Sequence, residues 1–382
     1  MPRPVASTRP LIATVVLSLL LTAALPQTVE AVSPRLRASV VQSGLVNPWD
    51  VGFTPGGRMF VTERPGRVRV YASGNRGAAL LATTTLSKVR AVGEAGAMGL
   101  AVDPNFPSNR FVYVCVSRDY EGQWLNQVIR YKVTSGWRLK FSKFVIEHGM
   151  RANTIHNGCA VEIGPDGKLW VTMGDSSDEI RAQNPNLLNG KILRVNRNGT
   201  IPDDNPIMPG ASGRSAVYSM GHRNPQGIAF EPETGDVYAI EHGPNVSDEI
   251  NRIRPGRNYG WPCRTGNNTP YHDGYAACSG KTFTKPRWHS GGSTIATSGG
   301  AFVKGNAWQG FRNHLFVAQL KQSDLRRFRL LDGGADVDYT ATYFNDRWGR
   351  LRAAVLGPGN RLFLTTSNGS GDRVIRITAV RR

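Results

Sequence analysis

The 382-residue sequence predicts an all-β fold, a six-bladed β-propeller, on three observations. One short unit recurs six times: an apolar strand, a turn marked by Pro or Gly, a second apolar strand, then a loop carrying His, Arg, Lys or acidic residues. Glycine (43 residues) and proline (23 residues) are abundant, and no long stretch repeats apolar residues at the 3.6-residue helical period. The six units span the whole chain beyond its N-terminal segment.

In order, the units are VGFTPGGRMFVTERPGRVRVY from Val51, GLAVDPNFPSNRFVYVCVSRD from Gly99 and AVEIGPDGKLWVTMGD from Ala160. They continue with GIAFEPETGDVYAIEHGP from Gly227, GAFVKGNAWQGFRNHLFVAQLKQ from Gly300 and AAVLGPGNRLFLTTSNGSG from Ala353. Their turn markers, Pro55, Pro104, Pro165, Pro232, Gly305 and Pro358, are spaced 49, 61, 67, 73 and 53 residues apart. Irregular spacing near 60 with one hairpin per unit fits blades, because a single four-stranded blade cannot bury both its faces without neighbours. A third strand follows most hairpins, as in IRYKV, KILRVN, INRI, LRRFRL and VIRITAV. Hairpins of a β-sandwich alternate in the same way. Recurrence in order along the entire mature chain favours the propeller.

The N-terminus carries Arg3 and Arg9, then fifteen largely apolar residues from Leu11 to Leu25 between Pro10 and Pro26, then Val29-Glu30-Ala31 before Val32. That is the pattern of a cleavable secretory signal peptide over residues 1–31, and the apolar run is short for a bilayer span. The expectation is one domain over residues 32–382, secreted or periplasmic, with no integral membrane span. The chain has 47 Lys and Arg against 28 Asp and Glu, a formal net charge of +19. These cations are spread over every unit without a basic helix or an RNA-type aromatic signature, which argues against nucleic acid and for a basic surface with a few cations facing an anionic ligand.

An even number of cysteines in an exported protein favours disulfides. Cys263 and Cys278 flank one loop rich in Gly, Asn and Tyr and are expected to pair. Cys115 and Cys159 lie near strands of adjacent units and either bridge or stay as two buried thiols. No CxxC or Cys/His spacing points to structural zinc.

The densest polar cluster is GHRNPQGIAF, from Gly221 to Phe230, followed by EHGPNVSDEINRIRPGRNYGWP, from Glu241 to Pro262. Arg223 and Asn224 precede a proline and a strand, which puts them at a loop-to-strand junction near a central channel. The Gly243-Pro244 step bends the chain and exposes carbonyls of the kind that ligate calcium. Asp248 and Glu249 could add carboxylates to the same or a second ion, or form a solvated Asx-type turn. His156 lies just ahead of the third unit's first strand, and the ordinary histidine pKa suits a general base near neutrality. Lys321, Arg350 and Arg352 stand at strand margins of the fifth and sixth units. Cations gathered at one channel end would hold a small polyanion, arginine gripping carboxylates in a forked geometry.

The motifs GHRNPQG, EHGPNVSDEIN, NYGWP, GEAGAMGLAVDPNF, HNGCAVEIGPDGKLWVTMGD and NGKILRVNRNGTIPDDNP resemble those of the soluble quinoprotein glucose and sorbosone dehydrogenases, also called soluble aldose sugar dehydrogenases. The resemblance runs in order over residues 40 to 380. It implies a six-bladed propeller using pyrroloquinoline quinone (PQQ) and calcium. His156 matches the general base that takes the proton of the anomeric hydroxyl while hydride passes to the quinone. Arg223 matches the arginine beside the quinone oxygens, and Asn224 and Thr294 match cofactor contacts. Lys321, Arg350 and Arg352 match the cations that pair with the PQQ carboxylates. Gly243 and Pro244 match the carbonyls on the catalytic calcium, and Glu249 and Tyr259 match ligands of a second, structural calcium. Glu94 falls near the substrate, where glucose-specific members carry Gln and the broader aldose group carries Glu.

The implied activity is oxidation of an aldose to its lactone, with electrons passed to an external quinone, cytochrome or dye. The chain departs from the pattern at Ala95, Ala97, Met98, Ile155, Cys159 and Thr297, all around the expected site. Relative to the glucose enzymes, the loops that shape sugar binding and dimerisation are shortened, particularly between Tyr259 and Thr294, which favours a monomer with broad aldose preference. The alternatives are a calcium-dependent lactonase or hydrolase in which His156 activates water, and a propeller that binds without catalysis.

Overall fold

Each of the six sequence hairpins forms the first two strands of a four-stranded antiparallel sheet in the computed structural model, which describes residues 33–380 together with 1, 2 and 4. The expected signal peptide lies outside the described segment. Blade 1 comprises Pro48–Phe53, Met59–Glu63, Arg67–Tyr71 and Leu80–Thr85, and blade 2 comprises Ala97–Val102, Phe111–Tyr120, Gln123–Val133 and Leu139–Ile146. Blade 3 is built from Gly158–Ile163, Leu169–Met173, Lys191–Val195 and Val217–Met220, and blade 4 from Pro225–Phe230, Val237–Glu241, Glu249–Ile253 and Trp288–His289. Blade 5 contains Thr297–Phe302, Leu315–Gln319, Leu325–Leu331 and Asp336–Tyr343.

Blade 6 closes the ring. Its strands Leu351–Gly357, Arg361–Thr366 and Asp372–Val380 take their fourth partner from the other end of the domain, Arg35–Leu45, which pairs antiparallel from Arg35 opposite Val380 to Leu45 opposite Asp372. The repeat pattern predicts no strand there, because RLRASVVQSGL has no hairpin of its own. Closure leaves neither terminal strand with a free edge beside the other.

The first strands contact one another in ring order, and that of blade 6 meets that of blade 1. Their glycines make this possible. A methyl group at Gly99 would strike the Cys159 and Ala160 backbone of blade 3, and one at Gly227 would strike Ser298 of blade 5. One at Gly299 would strike the Arg352–Ala354 backbone of blade 6. The axis is therefore almost filled. A cavity of about 30 Å³, room for about one water, remains between Trp49, Asp50, Glu162, Gln226, Ser298 and Arg352. Apolar side chains between neighbouring sheets, such as Met98, Cys115, Val161 and Val171, or Phe316, Leu351, Leu364 and Ile375, form the core.

The chain makes one long excursion, residues 254–287 of blade 4. Asn258 bridges in parallel to Met220 at the outer edge of blade 3, and a Cys263–Cys278 disulfide closes the loop, as expected from its spacing. Cys115 and Cys159 are also paired, which resolves the open alternative in favour of a bridge between blades 2 and 3.

Candidate active site

The loops ahead of the first strands and those after the second strands meet at one mouth of the channel. His156 sits two residues ahead of blade 3's first strand. Its side chain is 13% exposed, and its Nδ1 lies 2.7 Å from Asp175 Oδ1. Asp175 follows blade 3's second strand and is 1% exposed. Its Oδ1 also accepts from the Ser177 N–H (2.8 Å), and its Oδ2 accepts from the Trp261 indole N–H (2.8 Å). A carboxylate accepts, so this arrangement puts the ring proton on Nδ1 and leaves Nε2 as the basic nitrogen.

Glu94 holds the same loop from the opposite side. Its Oε2 accepts from the His156 and Asn157 backbone N–H groups (2.8 and 3.4 Å) and from Gln226 Nε2 (3.2 Å), and Asn224 Nδ2 donates to Oε1 at 3.4 Å. Asn224 is 1% exposed and its Oδ1 accepts from the Gly158 N–H at 3.0 Å. Its side chain thus joins Glu94 to the His156 loop. Gln226 passes the connection on, accepting from Arg352 Nη1 at 2.7 Å. Arg352 is 7% exposed, stacks 3.6 Å over the Trp49 ring, and is pushed down to about 9 by burial, an effect the nearby Glu94 carboxylate opposes.

Arg223 enters from the loop ahead of blade 4. Its Nη1 donates to the His242 carbonyl (3.3 Å), its guanidinium stands 5.3 Å from the Trp261 ring, and its backbone N–H donates to Glu241. Burial lowers its pKa, while Asp175, Glu241 and Glu94 oppose the shift. Among the described residues, neither Arg223 nor Arg352 forms an ion pair. Beside them, the buried Nε2 of His242 has no hydrogen-bond partner, and neither has Arg223 Nε. Burial and the charges of Arg223, Arg352 and His156 hold His242 down at about 3, so it is neutral across the physiological range. Geometry links the cations to the histidine: Arg352 through Gln226 and Glu94 to the His156 N–H, and Arg223 through the Trp261 ring to Asp175 and His156 Nδ1.

A third group of expected residues is tied together by Asp248. Its Oδ1 accepts from the Gly243 N–H (2.9 Å) and its Oδ2 from those of Ile295 and Ala296 (2.6 and 2.7 Å). Burial raises its pKa and these donors pull it back. The carboxylate thereby joins the Gly243-Pro244 turn to the loop of Thr294, whose N–H donates to the Asn245 carbonyl, while the Lys321 N–H donates to that of Ile295. Among the described residues, no hydrogen bond reaches the carbonyls of Gly243 or Pro244. Lys321 and Arg350 are exposed at the rim, and Arg350 is close enough to lower the pKa of Arg352.

Glu249 and Tyr259 do not share a hydrogen bond. Glu249, 8% exposed, accepts from the Gly266 N–H (2.7 Å) and Asn251 Nδ2 (3.0 Å), and is pushed up to about 8 by burial and by Glu241, its cross-strand neighbour. The Tyr259 hydroxyl donates to the Arg252 carbonyl (2.5 Å) and accepts from the Arg254 N–H (2.9 Å). Among the described residues, no cluster of three or more His, Cys, Asp or Glu is arranged to hold a metal.

Sequence reasoning did not single out Asp175, Gln226, His242 or Trp261. Asp175 stands two residues past its second strand in WVTMGD and His242 one residue past its own in YAIEHG, and a polar residue just beyond a second strand is the only signal the sequence offers for them. Trp261 reaches the site only because the 254–287 excursion crosses from blade 4 to blade 3.

The family model for glucose/sorbosone dehydrogenases matches residues 45–376. The aldose sugar dehydrogenase YliI of Escherichia coli is 29% identical over 88% of this chain and 91% of its own length. The apo-form crystal structure of the soluble aldose sugar dehydrogenase of E. coli superposes with a TM-score of 0.80 at 27% identity, covering 90% of this chain and all of that one. The PQQ-bound aldose sugar dehydrogenase of Streptomyces coelicolor superposes with a TM-score of 0.74 at 28% identity, over 91% and 99% of the two chains. Blade count, the motifs around the histidine and a match along nearly the whole domain agree: the chain belongs to the glucose/sorbosone dehydrogenase family.

Proposed function

We propose that this protein is an exported, monomeric quinoprotein that oxidises aldoses at the anomeric carbon to lactones and passes the electrons to an external quinone, cytochrome or dye. The observation that carries the reading is a histidine with Nε2 left basic by Asp175, set beside two guanidinium groups that have no carboxylate partner. Guanidinium groups shielded from water and engaged in no ion pair among the described residues suit an anionic ligand, and the unpartnered Arg223 Nε and His242 Nε2 suit one with hydrogen-bonding atoms. PQQ, a planar tricarboxylate, fits that demand, and the likeness to a PQQ-bound structure supports it. The Gly243 and Pro244 carbonyls, which accept no hydrogen bond among the described residues, suit a calcium ion. When bound, the quinone supplies the two-electron acceptor for hydride from C1, and calcium supplies a Lewis acid at its oxygens.

Within this reading each residue has a task. His156 Nε2 accepts the proton of the C1 hydroxyl as the C1–H bond breaks, and Asp175 stabilises the imidazolium so formed. Arg223, held over Trp261, presents positive charge where negative charge develops. Arg352, Arg350 and Lys321 grip the cofactor carboxylates, with Thr294 and Asn224 lining the same mouth. Glu94 orients the histidine loop and faces the sugar. Glu249 and Tyr259 would be ligands of a second, structural calcium, as the family resemblance implies.

The test is His156→Ala. Dye reduction with aldose, PQQ and calcium should fall by at least about 10³-fold while PQQ binding is retained. Undiminished turnover would remove the histidine from the mechanism.

A further inference from the structure

The loop that carries His156 follows a path its own residues disfavour. His156 has φ +59° and Cys159 φ +67°, left-handed values that residues other than glycine adopt at a cost, with Gly158 at φ +62° between them. Such a path persists only where the surroundings over-determine it. Three glycines admit it: a methyl group at Gly93, Gly174 or Gly99 would collide with the carbonyl oxygen of Thr154, His156 or Cys159, respectively. Asn157 braces it from within, accepting from the Asn153 N–H and Asn126 Nδ2 (both 3.1 Å) and donating to the Asn153 carbonyl (2.6 Å).

The remaining restraint is covalent. Cys159 is bonded to Cys115, which lies within the second strand of blade 2 opposite Val128, and both cysteines are fully buried. The bridge joins positions 44 residues apart across the boundary between two blades. His156 is therefore three residues from an anchor in the core of a neighbouring sheet.

We infer that the Cys115–Cys159 disulfide is a positioning device for His156. It holds the loop on its left-handed path, so that Nδ1 meets Asp175 and the backbone N–H meets Glu94, and full turnover is reached only after oxidative folding. Bridge formation takes two electrons and two protons from the thiols to a disulfide-donating oxidant of the export compartment, which is reduced to a dithiol. The role for turnover rests on the reading of His156 as the base. The bracing of the loop stands apart from that reading.

The experiment compares wild-type protein with Cys115→Ala/Cys159→Ala and Cys115→Ala/Cys159→Gly. In the Ala/Ala variant kcat should fall about tenfold or more with KM for the sugar within about twofold, and the acid limb of the pH–rate profile should move. The Ala/Gly variant should recover part of the lost kcat, because glycine accepts the left-handed conformation without strain. In protein free of cofactor, hydrogen exchange of amides 153–160 should quicken in Ala/Ala while the strand Asp372–Val380 stays protected. Wild-type kcat, pH profile and local exchange in Ala/Ala would overturn the inference, as would exchange that quickens equally in both segments. If Ala/Ala does not fold, exchange at 153–160 in the Ala/Gly variant decides: protection equal to wild type overturns the inference. Wild-type protein that oxidises no sugar would sink the functional reading, and the exchange comparison would still report on the bridge.

Discussion

His156 and Asp175 form a buried pair, Nδ1 to Oδ1 at 2.7 Å, and the Trp261 indole N–H holds the second Asp175 oxygen at 2.8 Å. The pair comes from the two loops that flank blade 3's first hairpin, and the tryptophan from the excursion of blade 4.

Asp175→Asn keeps the shape of this contact and removes its fixed acceptor. The histidine is then free to take the other tautomer, with no charge to stabilise the imidazolium. A fall in kcat of about 10²–10⁴-fold is expected, with a lowered Tm because the new NH₂ faces the Ser177 or Trp261 N–H, measured by steady-state dye reduction and thermal unfolding of the same preparation. Trp261→Phe, which removes one donor to Asp175, should cost less, about tenfold.

Glu94→Gln places an NH₂ among donors. One side-chain oxygen of Glu94 that now accepts from Asn224, Gln226 or the His156 loop becomes a donor facing another donor. The expected loss is about 1–3 kcal/mol, read as a Tm lowered by about 2–5 °C in differential scanning calorimetry. An unchanged Tm would mean that the carboxylate does not brace the loop.

Gly174→Ala is expected to lower turnover sharply without removing any polar side chain. The new methyl group would meet the His156 carbonyl and press on Asn224 Oδ1 at 3.2 Å. Displacement of the histidine loop should lower kcat by about 10²-fold or more. A crystal structure of the variant checks the cause directly, by the position of residues 154–158.

Stability should fall between pH 4 and 7 because of Asp50. Burial pushes this channel carboxyl up to about 7 against the N–H groups of Leu100 and Val51, and Glu162 beside it is raised by burial and by Asp50. Below about pH 4 folded and unfolded chains both hold the proton, so the group contributes nothing. As pH rises the unfolded chain ionises first, and by about pH 7 the cost is at most on the order of 4 kcal/mol. Asp50→Asn should therefore raise the urea midpoint at pH 8 and change it little at pH 4. Equal effects at both pH values would contradict this sign.

The propeller was legible because one hairpin with a Pro or Gly turn repeats six times, and each repeat names its inner strand. The closing strand Arg35–Leu45 was not, since it pairs with residues more than 300 positions away and has no turn of its own. His156 and Arg223 could be picked out as loop residues ahead of strands. Asp175 could not be separated from other acids after second strands without knowing which loops face each other. Cys115 and Cys159 stayed ambiguous for the same reason: pairing depends on the distance between blades.

His156, Arg223 and Arg352 are proposed to serve PQQ-dependent oxidation of an aldose. The decisive observation is the absorption spectrum of the protein reconstituted with PQQ and calcium and then mixed with an aldose in the absence of any electron acceptor. Rapid appearance of the reduced-quinone absorbance is expected in wild-type protein, and at least about 10³-fold slower appearance in His156→Ala. Persistence of the oxidised spectrum in wild-type protein across a panel of aldoses would contradict it.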